Sequence, residues 1–330
     1  MTPTRLSWAS IDDHLGPGAT RFFGAGYRRA EYDVRDVRLG AELSAEVSVG
    51  YPADWSRKSA DVDLRPHLSS VDTLVLGAQL AEALLAARHR LDGPARRRMR
   101  LRKVTLRAGM APVEDLVGLP ASAAVTGTSA AGGGLVSVVD TAVGAMRAKV
   151  EVEHPVDGGM AWPDRARSLP DLLGPAAQRY YGDGFRGRAL RLCDVDADTV
   201  EHVATAVVRR EEPAAVGGEG IEGASQPSVS MVDCFVVCLQ LSQVLMYELD
   251  SLTRGSSNTL WMMQTTLTAV DRARPWHREL PARTAITGNH LLPLRGQTWR
   301  NVDVAGELGG VAMRSSLAHR LPDPTTGRTS

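Results

Sequence analysis

Between Gly50 and Ser69 the chain gathers Tyr51, Asp54, Trp55, Arg57, Lys58, Asp61, Asp63, Arg65 and His67. His67 stands two residues before an S-x-x-D capping box, Ser69 to Asp72, that opens a long apolar segment. An imidazole there can take or give a proton near neutral pH, and it can equally hydrogen-bond its own loop. Asp72 can orient His67 or activate a hydroxyl, and capping alone also accounts for it. Arg57, Lys58 and Arg65 form a cationic group able to hold a phosphate, or an ordinary charged surface beside the three aspartates. Tyr51 and Trp55 offer ring surface for substrate. Gln79, two turns into the apolar segment, needs a polar partner if it is buried.

The chain carries a repeat that puts these residues in context. Asp13-His-Leu-Gly-Pro, Arg21-Phe-Phe-Gly and Gly26-Tyr-Arg recur as Asp171-Leu-Leu-Gly-Pro, Arg179-Tyr-Tyr-Gly and Gly184-Phe-Arg, an offset of 158. Pro66, Ser69, Asp72 and Gln79 recur as Pro227, Ser230, Asp233 and Gln240, an offset of 161. A tandem duplication implies two similar units. The second copy of the loop, from Arg209 to Ser230, has no aromatic residue, no His and no basic residue after Arg210; Ser228 replaces His67. One equipped loop out of two suggests one working site, in the first half. Asp233 sits where Asp72 sits and reads as a cap, so Asp233→Asn is expected to cost about 1 kcal/mol. Arg21 and Arg179 recur and therefore read as structural. Gln79 and Gln240 are expected to bond each other across the axis relating the halves.

The elements that must position these groups are legible from periodicity. Two segments, about Ser70 to His89 and Met231 to Thr253, are apolar nearly all round and read as wrapped helices. Alternating runs predict strands at Leu43–Val49, Leu101–Arg107, Leu135–Val139, Met146–Val152, Val203–Val208, Trp261–Val270, Arg283–His290, Thr298–Val304 and Val311–His319. Each half therefore orders as strand, long helix, then three or four antiparallel strands, an α+β class. Residues 1–155 read as the first unit, 156–178 as a connection and 179–330 as the second. Asn289, His290, Arg295, Trp299, Arg300 and His319 on the last strands are further polar candidates.

Composition excludes several functions. Lys+Arg and Asp+Glu are 38 each over 330 residues, so no global field favours nucleic acid or an anionic membrane. The basic run Arg96 to Lys103 reads as a solvated turn feeding a strand. Cys193, Cys234 and Cys238 form no metal-binding spacing, and the last two read as core. Residues 1–12 lack a signal-peptide core, and Asp72, Gln79, Glu82, Gln240 and Gln243 interrupt the apolar segments, so no membrane span and a cytoplasmic location are expected. Neither dinucleotide, P-loop nor nucleophile-elbow motifs are complete, so no metal and no bound cofactor are expected.

Three segments resemble the AvrD family of syringolide-biosynthesis avirulence proteins: Ser10-Ile-Asp-Asp-His-Leu-Gly-Pro through Arg29, Gly50-Tyr-Pro-Ala-Asp-Trp-Ser-Arg-Lys58, and Pro66-His-Leu-Ser-Ser-Val-Asp through Glu82. The organisation is also similar to that of the AfsA-type butenolide synthases. The resemblance implies a tandem (double) hot-dog fold, each half a long buried helix wrapped by a curled antiparallel sheet. It implies a condensing acyltransferase that joins a β-ketoacyl thioester, carried by coenzyme A or an acyl carrier protein, to a small ketose or hydroxyketone, which can be phosphorylated. In such folds the thioester lies beside the long helix with its carbonyl at the helix N-terminus. His67 and Asp72 are then the catalytic candidates, and Tyr51, Trp55, Arg57, Lys58, Arg65 and Gln79 the substrate-binding ones. Leu74, Val75, Ala78, Phe235 and Val236 are expected to border a tunnel opening near residues 51–67. Alternatives in the same fold are a dehydratase or thioesterase, and a non-catalytic acyl-binding or regulatory protein. A monomer or homodimer is compatible with all of them.

Overall fold

The computed structural model describes residues 4–59, 62–63, 65–156, 158–211, 217–255, 260–294 and 296–321. The elements run β1 (Arg5–Ser10), α1 (Ile11–Leu15), β2 (Glu31–Leu39), β3 (Glu42–Gly50), β4 (Arg57–Ser59), β5 (Val62–Asp63), α2 (Ser70–Arg88), α3 (Gly93–Arg97), β6 (Arg100–Arg107), β7 (Leu119–Ala131), β8 (Gly134–Val143) and β9 (Met146–His154). They continue as β10 (Arg165–Ser168), α4 (Leu169–Leu173), β11 (Leu190–Asp198), β12 (Val203–Arg210), α5 (Met231–Leu249), β13 (Trp261–Ala269), β14 (Glu279–Leu294), β15 (Gln297–Leu308) and β16 (Val311–Arg320).

Fourteen strands form one sheet in the order β1-β11-β12-β14-β15-β16-β13-β6-β9-β8-β7-β3-β2-β10, with every adjacent pair antiparallel. The order is symmetric about the β6–β13 junction. There Thr105 faces Thr266, its own counterpart at the 161 offset, with the two hydroxyls 3.3 Å apart. The halves also exchange their first strands: β1 pairs with β11 of the second half, and β10 pairs with β2 of the first. The segment between the halves thus holds a strand and a capped helix that repeat β1 and α1.

Both long helices open as the S-x-x-D spacing predicts. Ser69 and Ser230 each accept from the N3 amide, and Asp72 and Asp233 each accept from the N-cap amide. Residues Val71 to Ala86 of α2 are all buried, as the unbroken apolar composition requires. α2 packs on β8 and β9, and α5 on β14 and β15. Both helices are long and apolar enough to cross a membrane, yet 89% and 83% of their apolar windows are buried inside the structure. The polar residues along them do not lower their hydropathy below that of a span; enclosure by the sheet is what they satisfy. Leu74, Leu76 and Leu80 are fully buried, and truncating one to Ala should cost about 2–5 kcal/mol.

The strands missing from the sequence reading have physical reasons. β7 is built largely from Ala, Ser, Thr and Gly, which carry weak strand propensity. β2 and β11 are charge-rich and lose their alternation at bulges, where Asp36 and Asp194 take positive φ. The run from Arg96 is exposed at Arg97, Arg98 and Arg102 and feeds β6, but Arg96 departs from it: packed in α3, it donates to the buried Glu82 at 3.1 Å. Cys234 and Cys238 are both in the core.

Candidate functional site

A cavity of about 390 Å³ lies at the N-terminal end of α2. Trp55, Ser56, Arg65, His67, Leu68, Ser69 and Ser70 of the equipped loop and first helical turn form one wall. Phe22 and Phe23 of the repeated motif close another. The second half supplies Leu239, Gln243 and Tyr247 from α5, then Arg254, Leu260, Trp261 and Met262. Ala108, Ala111, Met146 and Leu317 complete a mainly apolar lining with cationic and amide groups set into it.

His67 is half-buried on this wall, its ring edge-on to Trp55 at 5.4 Å between centroids. Its Nδ1 lies 3.3 Å from the Arg65 carbonyl oxygen. A proton on Nδ1 donating there leaves Nε2 as an acceptor, the form a general base requires. Ser70, the first residue of α2, shares the wall. First-turn N–H groups have no carbonyl of their own helix to bond; here the Asp72 amide is taken by Ser69 Oγ. Arg65 reaches Glu114 at 2.6 Å, and both side chains border the cavity. The side chains of Arg57 and Lys58 lie outside the described residues, as does Arg295.

Asp72 is not on the cavity wall. It is fully buried one turn behind, accepting from the Ser69 amide at 2.7 Å, Tyr51 Oη at 2.5 Å and Tyr32 Oη at 2.8 Å. Burial raises its carboxyl above the ordinary value against the opposing pull of these bonds, and burial raises both phenols as well. Tyr51 is off the wall too, its ring tilted against that of Trp55 with centroids 4.8 Å apart. The structure therefore brings Trp55, Arg65 and His67 to the cavity. It places Tyr51 and Asp72 behind the helix start.

Gln79 and Gln240 do not meet. Each accepts instead from the repeated arginine of the opposite half: Arg179 Nη1 to Gln79 Oε1 at 3.1 Å, and Arg21 Nη1 to Gln240 Oε1 at 2.7 Å. The expected tunnel residues Leu74, Val75, Ala78, Phe235 and Val236 are packed solid at 0–1% exposure, because that face of each helix is consumed by the core. The cavity lies further along α5, at Leu239, Gln243 and Tyr247. Among the last-strand candidates, Arg300 and His319 are held by Asp250, at 2.5 and 3.0 Å.

The equivalent space in the second half is filled. Leu260, Met262 and Gln243 of the cavity correspond to Met99, Leu101 and Glu82. The Glu222 amide bonds the Met99 carbonyl oxygen at 2.8 Å, and the Glu222 side chain pairs with buried Arg274 at 2.5 Å and accepts from Tyr181 Oη at 3.2 Å. Ile221 is buried beside it, and Ser228 is buried where His67 stands open. Asp233 differs from Asp72 in the same sense: it pairs with Arg188 at 2.5 Å, and Arg188 is wholly buried over the Tyr180 ring. A sequence signal for this asymmetry existed in the repeated motif. Phe22 and Phe23 face an apolar cavity, whereas Tyr180 and Tyr181 spend their hydroxyls on Ser230 and Glu222.

Fold and cavity together define an α+β protein with two sheet-wrapped helices and a ligand-sized, mainly apolar chamber at a helix N-terminus. The chain belongs to the AvrD family: the family model of the Pseudomonas avirulence D protein matches residues 6–322. No curated protein matches it. Among solved structures it is similar to a hot-dog-fold protein of unknown function from Alicyclobacillus acidocaldarius, at 11% identity and TM-score 0.40 over 92% of this chain and 99% of that one. It is also similar to the tesB protein of Mycobacterium avium subs paratuberculosis, at 13% identity and TM-score 0.41 over 87% and 96%. A third is an acyl-CoA thioesterase II from Mycobacterium marinum, at 11% identity and TM-score 0.35 over 89% and 97%.

Proposed function

We propose that the chain is a double hot-dog acyltransferase that joins a β-ketoacyl thioester to a hydroxyl of a small ketose or hydroxyketone. The observation that carries this reading is the contrast between the two helix starts: one opens on an apolar chamber walled by His67 and Ser70, and its counterpart is filled by Glu222 and Arg274. The acyl chain lies among Phe22, Phe23, Leu239, Met262 and Leu317, with its thioester carbonyl at the first turn of α2. His67 takes the proton of the acceptor hydroxyl as the oxygen adds to that carbonyl. Free N–H groups at the helix start hold the oxyanion. The C–S bond then breaks and His67 returns the proton to the leaving thiolate. Asp72 touches no substrate in this scheme; it is a positioning residue that fixes Ser69 and the helix start through the Ser69 amide.

The experiment is incubation of the purified chain with a β-ketoacyl thioester and a ketose, read by mass spectrometry. An acylated ketose, or its cyclised lactone, supports the reading. Free β-keto acid as the sole product would make the protein a thioesterase, and no turnover with tight thioester binding would make it a binder.

A further inference from the structure

A second concavity, of about 860 Å³, lies at the junction of the halves and is lined from strands β6, β8, β9, β13, β14, β15 and β16. Its lining holds Lys103, Arg107, Arg147, Lys149 and Arg314 against two carboxylates, Asp140 and Asp303, in a chain whose overall charge balances. Strand register orders these groups in two rungs across the junction. One rung runs Arg147, Arg107, Gln264, Ser316; the next runs Lys149, Thr105, Thr266, Arg314. Arg107 and Arg147 are directly opposed on neighbouring strands, an arrangement that like charges disfavour. Lys149 has Asp140 at 3.5 Å, and Lys103 has Glu151 at 3.6 Å. Arg107, Arg147 and Arg314 have no carboxylate partner among the described residues. Lys149 and Arg314 are separated by three strand spacings, about 14 Å.

From this arrangement we infer that the groove docks the acidic face of a carrier protein that brings the acyl group as a thioester. The inference rests on the acyl-transfer reading of the cavity and selects the carrier form of its donor. Arg107 and Arg147 are close enough to share one anionic group, but the cationic row continues to Lys149 and Arg314, about 14 Å apart, and so extends beyond a single phosphate. Among the described residues the groove has no aromatic side chain to stack a nucleotide base; Ala148 and Val304 are its apolar members. A row of carboxylates on a protein surface matches both the spacing and the sign. Arg107, Arg147 and Ser316 line the groove, and their chain neighbours Ala108, Met146 and Leu317, turned to the other face by strand alternation, line the cavity, so an acyl group tethered at the groove reaches the cavity round the strand ends. Exposed Met110 and Met263 stand on the same segments and offer apolar contact beside the charges.

The test is titration of the full chain with a fluorescently labelled acyl carrier protein bearing a 3-oxoacyl group, at low and at raised salt. Alongside it, turnover is measured with the corresponding 3-oxoacyl pantetheine thioester. In Lys149→Glu/Arg314→Glu, carrier affinity should fall by at least about tenfold while pantetheine-thioester turnover stays within about twofold of wild type. The milder Lys149→Gln/Arg314→Gln should show an intermediate loss with an unchanged melting temperature, which separates docking from folding. Wild-type binding should weaken steeply with salt. Carrier affinity unchanged by charge reversal, or no carrier binding by the wild type, overturns the inference. Absent turnover of the pantetheine thioester by wild type would instead count against the acyltransferase reading, since that substrate never needs the groove.

Discussion

Arg21 of the first half donates to Gln240 in the second half's buried helix at 2.7 Å, and Arg179 returns the same bond to Gln79 at 3.1 Å. The duplicated motif is thus a clasp: each copy's arginine reads the other copy's helix. The two clasps are not equivalent in consequence, because Arg21 also borders the cavity, and Arg179 lies where the counterpart space is filled. Gln79→Leu and Gln240→Leu should each cost about 1–3 kcal/mol, as a buried guanidinium loses an acceptor. Only Gln240→Leu should also raise KM for the thioester. Thermal unfolding and steady-state kinetics on both variants check this.

The two helix caps should respond differently to loss of charge. Asp72 is met by two neutral phenols, and burial holds its carboxyl above the ordinary range. A carboxyl so raised contributes stability that is full below its unfolded value and is lost as pH rises through its folded value. Asp72→Asn should therefore cost little stability at neutral pH and flatten that decline, while lowering kcat by loosening the helix start. Asp233→Asn leaves buried Arg188 without its counter-charge and should cost about 3–5 kcal/mol, well above the value expected of a cap alone. Denaturant titrations of both variants across pH decide the matter.

An acid-sensitive element lies at the far end of α2. His154 is buried, bonds Ser137 Oγ at 2.9 Å and the Pro155 carbonyl oxygen at 2.8 Å, and its ring centroid is 4.4 Å from that of His89. Burial holds its imidazole below the ordinary value. Its unfolded form therefore binds a proton first, and stability is lost as pH falls below about 6.5 toward the folded value. His154→Gln should make the melting temperature fall less steeply between pH 7 and 5. An unchanged slope would assign the acid sensitivity elsewhere.

Narrowing the chamber should tune acyl length. Leu239→Phe adds bulk on the α5 wall and should raise KM for long β-ketoacyl thioesters more than for short ones, with kcat on the short ones kept. A series of thioesters differing by two carbons provides the measurement.

Much of this architecture is legible in the residues. The two S-x-x-D boxes, the unbroken apolar runs behind them and the offsets of 158 and 161 lead directly to two wrapped helices related by duplication. The loop asymmetry points to the half that carries the cavity. The cross-half walls are not legible: Leu239, Gln243, Tyr247 and Arg254 sit more than 170 residues from His67, and only tertiary packing brings them together. The exchanged strands β1 and β10 are hidden for the same reason, being short and partnered across the halves. Gln79 and Gln240 on apolar helices require polar partners, but periodicity has no means of choosing an arginine from the opposite half.

The central claim is that acyl transfer occurs in the cavity at the start of α2 with His67 as its acid–base group. The most direct test is the rate of acylated-ketose formation by His67→Gln against wild type, with melting temperatures measured alongside. The account predicts a fall of at least about a hundredfold in a protein that melts normally. Turnover undiminished in that variant would contradict it.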